Sequence, residues 1–348
     1  MITIGFFNNK GGVGKTSLVY HVAWMLAELG HRCIAADFDP QANLSSFFLD
    51  EERLEELWSA APRQTVHGAI APLFRGIGDI QDPFVEAIQP LFRGIGEIQD
   101  PFVEPVHERI GLLVGDLNLS GFEDDLSLSW AQCAVGQERA FRVTSALART
   151  LAAAGKIFGA EFGLVDVGPN LGALNRAALL ACDGVVVPLG ADLFSLQGLR
   201  NMGPAIRAWR AAWADHKPKN PDPALLLPAG TIDPLGYIVT RHSVLAGRPA
   251  RAFGRWIERI PDQYREFVLA HPAHTPLNPG SDPNRIAQLK DYRSLMPLAQ
   301  EARKPMFHLR PADGAFGGHQ QAVAECYTDF KQLTEEILLR TMIGVPPR

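Results

Sequence analysis

The sequence is poor in cysteine, and the cysteines it has are scattered. They are Cys33, Cys133, Cys182 and Cys326, and no two of them form a C-x-x-C pair. This spacing argues against a disulfide framework and against a recognisable iron–sulfur cluster pattern. Cys33 and Cys182 lie in apolar segments, which is typical of reduced residues in the core of a cytoplasmic protein.

Long apolar runs and an excess of positive charge are also missing. No uninterrupted apolar run approaches the roughly 20 residues needed to cross a bilayer, and no basic segment with a cleavage site precedes the first apolar run. We therefore expect a cytoplasmic protein that does not bind membranes. The formal net charge of −5 over 348 residues argues against a chain-wide nucleic-acid surface, although it leaves room for a local basic patch.

Short apolar runs alternate with helical stretches along the chain. The apolar runs predict strands at Ile2–Phe7, Arg32–Ala36, Gly111–Val114, Phe162–Asp166, Gly184–Pro188 and Leu235–Thr240. Helical patterns occur at Ser17–Leu29, Gln137–Ala154, Leu171–Ala181, Ser195–Ala214, Pro249–Ile260 and Gly318–Leu339. Almost continuously apolar runs favour strands that are buried on both faces of a parallel sheet. The sequence therefore predicts an α/β fold with a doubly wound, mostly parallel sheet flanked by helices.

A glycine-rich segment carries the strongest functional signal. It reads Asn-Asn-Lys-Gly-Gly-Val-Gly-Lys-Thr-Ser from Asn8 to Ser17, between the first predicted strand and the first predicted helix. Backbone N–H groups in such a turn, together with the positive end of the helix, form a cradle for phosphate. Lys15 can reach the terminal phosphates, and the Thr16 hydroxyl can bind Mg²⁺. The predicted phosphate-binding residues are Lys10, Gly11, Gly12, Val13, Gly14, Lys15, Thr16 and Ser17.

The same segment departs from the general P-loop pattern G-x-x-x-x-G-K-[ST]. Asn9 stands where the pattern has its first glycine, and Lys10 adds a second lysine to the loop. The segment is therefore a deviant P-loop, and the deviation narrows the family.

Three aspartates lie at or just after the ends of predicted strands and are candidate ligands for a metal ion or a water. Asp37 and Asp39 flank one residue in Ala-Asp-Phe-Asp-Pro-Gln, so in extended structure their side chains point the same way. Asp166 ends an apolar run, which is typical of a Walker B strand. The carboxyl ends of parallel strands face the nucleotide crevice. These carboxylates can therefore hold Mg²⁺ and orient a water against the terminal phosphate.

These three segments resemble the signatures of the ParA/MinD family of deviant Walker A ATPases, part of the SIMIBI class of P-loop NTPases. The first signature, K-G-G-x-G-K-[ST], is matched over Lys10–Thr16, and the second, D-x-D-P-Q, over Asp37–Gln41. The third, D-x-P-P, is matched in part, because Gly168 replaces the first proline before Pro169. Within the family the chain resembles the ParA/Soj-type partitioning ATPases most.

The resemblance implies one ATPase domain over residues 1–348, with an insertion at about residues 50–110, and two copies that enclose ATP. Lys10 would cross to the partner's phosphates, Lys15 would bind phosphates in its own chain, and Asp39 would position the attacking water. These three are the expected catalytic residues. The expected magnesium ligands, directly or through water, are Thr16, Asp37, Asp39 and Asp166.

The resemblance also implies cofactors and partners. They are ATP and Mg²⁺, a homodimer that forms on ATP binding, and a ParB-like or other cargo adaptor that stimulates slow hydrolysis. One position differs from many relatives, since His21 stands where they often carry Asn.

The sequence indicates less clearly to which branch of the family the chain belongs. Glu335 and Glu336 give the last predicted helix mixed charge, so core packing explains that helix better than membrane binding of the MinD type. Four arginines would share one face of the predicted helix 249–260 and could bind nonspecific DNA through phosphates; a solvated helix face is an equal alternative. They are Arg248, Arg251, Arg255 and Arg259.

We therefore expect an ATPase that positions or segregates a cargo, such as a plasmid or chromosome locus, and that associates with the nucleoid if it binds DNA. The alternative is a nucleotide-dependent switch that regulates or positions a protein complex without DNA binding. A ligase of the synthetase branch would need a further substrate pocket, which the sequence does not locate.

An internal repeat interrupts the middle of the chain. Residues 69–104 are two copies of an 18-residue unit that differ only at Ala71/Gln89 and Asp79/Glu97. Surface loops accept extra length at small entropic cost, so a tolerated loop insertion is the favoured interpretation. The alternative is a partner-binding protrusion anchored by Phe74, Phe84, Phe92 and Phe102.

Overall fold

The computed structural model describes residues 1–73, 96–242, 244–245, 248–249, 251–271, 282–292 and 294–344. Within these ranges the chain forms an eight-stranded sheet that separates two apolar cores. None of the helices in them is long and apolar enough to span a lipid bilayer.

The sheet is parallel except at one edge. Its strands are β1 (Ile2–Phe6), β2 (Cys33–Asp37), β3 (Glu104–His107), β4 (Ile110–Leu113), β5 (Phe162–Asp166), β6 (Gly184–Gly190), β7 (Asp233–His242) and β10 (Arg285–Lys290), while β8 (Val244–Leu245) and β9 (Arg248–Pro249) form a separate hairpin. The strand order is β10-β7-β6-β1-β5-β2-β4-β3, with β3 antiparallel to β4. Because β1 lies between β5 and β6, the loop after it leaves the sheet where doubly wound folds bind ligands.

Helices pack on the two faces of the sheet. They are α1 (Lys15–Glu28), α2 (Asn43–Phe48), α3 (Glu51–Ser59), α4 (Val66–Ile70), α5 (Phe122–Cys133), α6 (Glu138–Thr144), α7 (Ala146–Phe158), α8 (Ala173–Leu180), α9 (Leu193–His216), α10 (Arg251–Ile257), α11 (Ile260–Gln263), α12 (Leu295–Ala302) and α13 (Gly318–Gly344). In β2, Ile34 belongs to the core under α7 and α8, whereas its neighbour Ala35 belongs to the core under α1 and α13. This alternation, with both residues fully buried, is why the strand is apolar up to its last residue, Asp37.

The predicted architecture is confirmed, and all six predicted strands are present. The sequence did not predict β3 or β10, which lie at the two edges of the sheet. A proline, Pro105, lies inside the short β3, and Arg285, Gln288 and Lys290 give β10 a polar composition. Edge strands commonly carry such residues because one side of them is not paired.

Two of the predicted helices were wrong in their bounds. The stretch predicted as one helix from Gln137 to Ala154 is two helices that meet at Ser145, whose hydroxyl donates to the carbonyl of Phe141 at 2.6 Å. Such a local bond competes with the helical pattern. Pro249 lies in β9 rather than at the start of a helix, and α10 ends at Ile257.

The last helix, α13, packs in the core, as the sequence predicted. Phe330, Leu333 and Ile337 of α13 are almost fully buried in the same core as α1. All four cysteines are likewise buried and carry free thiols, in agreement with the prediction for Cys33 and Cys182.

Part of the region 50–110 contributes to the core rather than to the surface. Leu54 and Leu57 of α3 and Ile70 of α4 are buried. The repeat is described at its beginning and its end, residues 69–73 and 96–104.

One of the four proposed phenylalanine anchors of the repeat can be assessed. Phe102 packs partly buried against the core that contains α1, so its side chain is not a free anchor. Phe74, Phe84 and Phe92 lie outside the described residues.

Candidate nucleotide-binding site

The glycine-rich loop connects β1 to α1 and leaves the start of the helix open. Gly12 and Gly14 have φ angles of 72° and 85°, a conformation that glycine adopts without strain. A Cβ at either position would meet nothing within 4 Å, so backbone conformation rather than packing requires glycine here. Gly14 precedes α1 and offers no side chain to cap it. The first N–H groups of α1 are therefore available to an anion.

Hydrogen bonds within the loop and to β6 and β7 fix its shape. The amide of Asn8 is fully buried; it donates to the carbonyl of Pro188 at 2.7 Å and accepts from the N–H of Lys10 at 3.0 Å. The hydroxyl of Thr240, at the carboxyl end of β7, donates to the carbonyl of Val13 at 2.9 Å. Sequence reasoning did not identify Thr240, although a short polar residue at the end of a parallel strand is the available signal.

Asn9, which replaces the first glycine of the general P-loop pattern, packs against α9. A Cβ at Gly198 of α9 would lie 2.8 Å from Oδ1 of Asn8 and 2.9 Å from Oδ1 of Asn9. Only glycine therefore allows α9 to approach the loop this closely. Gly198 lies far from the loop in the sequence, and no local pattern indicates its role.

Lys15 is almost fully buried and points back into the loop. Its Nζ donates to the carbonyls of Asn8 at 3.2 Å and Lys10 at 3.3 Å. Burial lowers the pKa of Lys15, and the nearby carboxylates of Asp166 and Asp39 oppose that effect. A lysine held this way can exchange backbone carbonyls for phosphate oxygens, which are better acceptors for a buried ammonium.

Asp37 and Asp166 end two neighbouring strands and are fully buried. One oxygen of Asp37 accepts from the N–H and the hydroxyl of Ser45, each at 2.8 Å. Neither oxygen of Asp166 accepts a well-formed hydrogen bond. Burial raises the pKa of Asp37 to about 7. Burial, and then repulsion from Asp37, raises the pKa of Asp166 well above its usual value, although the nearby Thr16 hydroxyl offsets part of the rise.

The third predicted carboxylate, Asp39, lies against the loop that follows β5. Its Oδ1 accepts from the N–H of Gln41 at 3.0 Å. A Cβ at Gly168 would lie 3.4 Å from the same oxygen, so the departure from the D-x-P-P signature occurs where side chains are close. Asn175 holds this loop by donating to the carbonyls of Gly168 and Asn170, both at 2.8 Å.

The arrangement fits a nucleotide with Mg²⁺. Among the described residues, no three His, Cys, Asp or Glu side chains are placed to hold a metal ion by themselves. Mg²⁺ in phosphate sites needs only one or two carboxylates, because phosphates and waters complete its shell. The buried oxygens of Asp166 accept no well-formed hydrogen bond and can accept from such a shell, and the Thr16 hydroxyl lies near them.

A cavity of about 650 Å³ extends from the P-loop toward β10 and α12, a size typical of small-molecule sites. Lys10, Gly12 and Ser17 line it on the side of the P-loop. Its other walls are mainly apolar and aromatic, as a nucleoside base prefers, and sequence reasoning did not identify them. They include Leu289, Tyr292, Met296, Pro297, Met306 and Phe330.

A comparison with known protein families identifies the family to which this chain belongs. The model of the family described as an AAA domain, AAA_31, matches residues 1–216, well over half of the chain. The chain belongs to this family of ParA/MinD-like ATPases. The predicted resemblance is thereby confirmed.

Individual relatives are more distant. The chromosome partitioning protein ParA of Caulobacter vibrioides is 27% identical over 195 residues, which are 56% of this chain and 58% of that protein. Among solved structures, a protein of Corynebacterium diphtheriae aligns with a TM-score of 0.67 and 22% identity over 99% of this chain and all of that one. A variant of McdA from Cyanothece, in complex with ATP, aligns with a TM-score of 0.56 and 13% identity over 100% and 98% of the two chains. At these identities the structural matches establish the fold.

In this ParA/MinD-like ATPase the second lysine of the loop is held within its own chain. Nζ of Lys10 forms an ion pair with Oδ2 of Asp192, which caps α9. The same ammonium lies 5.8 Å from the ring centroid of Phe194. Both predicted lysines therefore stand at one loop, and one of them is paired with a distant carboxylate.

The four arginines proposed for DNA are not arranged as predicted. Arg248 lies in the hairpin strand β9, Arg251 begins α10, and Arg259 lies beyond the end of α10, where it precedes α11. A single helical face that carries all four is therefore wrong. Arg255 and Arg259 are exposed and lie 4.6 and 5.4 Å from the ring centroid of Trp256.

His21 joins the P-loop helix to the C-terminal part of the ATPase. Its Nδ1 donates to the carbonyl of Ser17 at 2.6 Å, and its Nε2 accepts from the N–H of Met306 at 3.1 Å. Both nitrogens are thus used by a neutral ring, which also stacks on Phe330 at 4.8 Å. Burial lowers the pKa of His21 to about 4. The residue is a structural bridge from α1 to the wall of the nucleotide cavity.

Proposed function

We propose that this ParA/MinD-like ATPase hydrolyses ATP with Mg²⁺ between two copies of itself and uses the ATP-bound dimer to position or segregate a cargo, most simply a plasmid or chromosome locus. One observation carries the proposal. A P-loop with an additional lysine, Lys10, stands with the buried Lys15 and with a buried carboxylate, Asp166, that accepts no well-formed hydrogen bond. The relationship to the chromosome partitioning protein of Caulobacter vibrioides supports the type of cargo.

Each residue has a role that its present contacts allow. ATP would supply the phosphoryl group, and Mg²⁺ would neutralise charge on its phosphates. Lys15 would give up the carbonyls of Asn8 and Lys10 and donate to phosphate oxygens, while the N–H groups at the start of α1 bind the same anion. Thr16 and Asp166 would hold the Mg²⁺ shell, supported by Asp37.

Asp39 and Lys10 would act on the reaction itself. Asp39 lies beside the loop after β5 and would orient the attacking water. Lys10 of the partner would place its ammonium against the phosphates and stabilise charge in the transition state, as an arginine finger does. Slow hydrolysis by the dimer would then be stimulated by a ParB-like or other cargo adaptor in the cytoplasm.

The proposed contact with nonspecific DNA is restricted to a smaller surface than the sequence predicted. Arg255 and Arg259 remain candidates, because both are exposed and flank one partly buried tryptophan. Guanidinium groups suit phosphate contacts without base recognition. Binding of this kind would associate the ATP-bound dimer with the nucleoid.

Fluorescence anisotropy with a labelled random-sequence duplex tests this contact in the presence of ATP or ADP. Binding should require ATP and should fall steeply with salt. The double variant Arg255→Glu/Arg259→Glu should weaken binding by at least about tenfold. A control with the same change in net charge, Arg109→Glu/Arg303→Glu, replaces one arginine between β3 and β4 and one just after α12, and it should bind like the wild type. ATP-dependent binding by the first variant that persists at moderate salt would refute the contact.

A second function, a nucleotide-dependent switch for a protein complex without DNA, also has a specific observation in its favour. The chain carries a formal net charge of −5, and the arginines that suggested DNA binding do not form one continuous helical face. A wild-type protein that forms ATP-dependent dimers and never binds DNA would favour this function.

A further inference from the structure

The ion pair between Lys10 and Asp192 ties the P-loop to α9. Oδ2 of Asp192 accepts from Nζ of Lys10, while Oδ1 accepts from the N–H of Ser195 at 2.9 Å and so caps the helix. The Lys10 main chain is fixed as well, since its N–H donates to Asn8 and its carbonyl accepts from Lys15. Only the side chain of Lys10 is therefore free to change partner.

The pair lies at the mouth of the nucleotide cavity and is partly open to solvent. Lys10 and Asp192 both line that cavity, and their side chains are 28% and 37% exposed. Ion pairs of this exposure are weak, so such a contact can be broken by a more negative acceptor. Phosphate oxygens of a nucleotide are such an acceptor.

We propose that Asp192 is a positioning residue that holds Lys10 within its own chain and withholds it from a partner protomer until nucleotide is bound. This inference rests on the sandwich dimer proposed above. Lys10 must leave Asp192 before its ammonium can approach the phosphates of a second copy. Two such pairs break for every dimer, so the pairs raise the nucleotide and protein concentrations at which the dimer forms.

The variant Asp192→Asn tests the restraint, because asparagine keeps the helix cap and removes the charge. Sedimentation velocity with ATP should show a dimer dissociation constant that falls about 2- to 30-fold. This range corresponds to the combined free energy of two exposed ion pairs. If Asp192 were needed only for folding or capping, the dimer dissociation constant would stay the same or rise. Asp50→Asn is the matched control: Asp50 also caps a helix, and it lies 3.6 Å from an arginine, Arg303. This control should leave dimerisation unchanged.

A second measurement does not depend on dimerisation. In nucleotide-free protein, the rate at which an amine-reactive acylating reagent modifies Lys10, followed by peptide mass spectrometry, should rise several-fold in Asp192→Asn and not in Asp50→Asn. An unchanged rate would overturn the proposal, as would dimerisation that is equal to or weaker than that of the wild type. If the wild type formed no ATP-dependent dimer while the modification rate rose, the sandwich function would fail and the restraint on Lys10 would stand.

Discussion

Asp37 and Asp166 are register partners on adjacent parallel strands, and both carboxyl groups are fully buried. They differ in their partners, because Ser45 donates two hydrogen bonds to Asp37 whereas Asp166 accepts none of good geometry. Burial without hydrogen bonds is costly for a carboxylate. The nucleotide-free protein therefore carries a cost at Asp166 that metal binding would relieve.

The variant Asp166→Asn removes the charge of a fully buried carboxyl group. Removing the buried carboxylate should leave the nucleotide-free protein as stable as the wild type, or more stable by up to about 2 kcal/mol. Mg²⁺-dependent ATP binding should weaken about 10- to 100-fold. Denaturant unfolding and calorimetric titration measure the two effects.

A second buried aspartate provides the control for that variant. Asp116 accepts from the Thr65 hydroxyl and the Asn118 N–H, both at 2.9 Å, and from Arg63 at 3.2 Å. Asp116→Asn should therefore lower stability by about 1–3 kcal/mol. Equal losses of stability in both variants would mean that Asp166 is a structural residue.

Gly198→Ala should damage the P-loop through packing. Alanine usually stabilises a helix by about 1 kcal/mol relative to glycine, but here the new Cβ would lie within 2.9 Å of both Asn8 and Asn9. Either the side chains of Asn8 and Asn9 or α9 must move, which disturbs the P-loop, and kcat/KM for ATP should fall about 10- to 100-fold. Gly254→Ala, in the helix α10 and with open space around its Cβ, should leave kcat/KM unchanged. Equal activity of the two variants would contradict the close packing.

His21 should make stability depend on pH. Burial lowers its pKa from 6.5 to about 4, so between these values the unfolded chain binds the additional proton. Its contribution is complete above pH 6.5, and it falls as pH drops toward 4, by about 3 kcal/mol in all. His21→Gln should flatten this part of the pH profile of the free energy of unfolding. An identical slope in wild type and variant would exclude the neutral buried ring.

Deletion of one repeat copy tests whether the repeat is a tolerated insertion or a partner-binding protrusion. The Cβ position of Gly96 lies 2.2 Å from the carbonyl of Pro72, so the two ends of the intervening segment are close together. Removing residues 78–95 leaves one complete unit and only four residues between Leu73 and Gly96. Because the connection between Leu73 and Gly96 is shorter, stability should be unchanged or higher by about 1–2 kcal/mol. A variant that folds but loses a partner would instead support the protrusion.

The local motifs of the site could be predicted because each is a short segment with its own geometry. Lys15 and Asp39 follow strands, and Asp166 ends one, and the apolar runs of these strands are plain in the sequence. The contacts that fix the site are different, since Thr240, Gly198 and Asp192 reach the P-loop from strands and helices more than 180 residues away. Such contacts depend on the packing of the whole sheet, which no local pattern encodes.

The four arginines show that helical spacing alone can give a wrong prediction. Periodicity alone gave one helix from Pro249 to Ile260, but α10 ends at Ile257, and Pro249 pairs with Val244 in the hairpin. A spacing of three and four residues is therefore weak evidence for a shared face unless the helix itself is secure. Ile257 and Ile260 are buried, so this segment packs on the core although the predicted helix bounds were wrong.

The most direct test of the account is the oligomeric state of wild type and Lys10→Ala by sedimentation velocity, with and without ATP and Mg²⁺. Lys10→Ala removes the ammonium but keeps the loop glycines and Lys15, so the monomer should remain folded and should still bind ATP. We expect the wild type to become a dimer only with ATP, and the variant to stay monomeric in both conditions. A Lys10→Ala protein that dimerises with ATP as readily as the wild type would contradict the account.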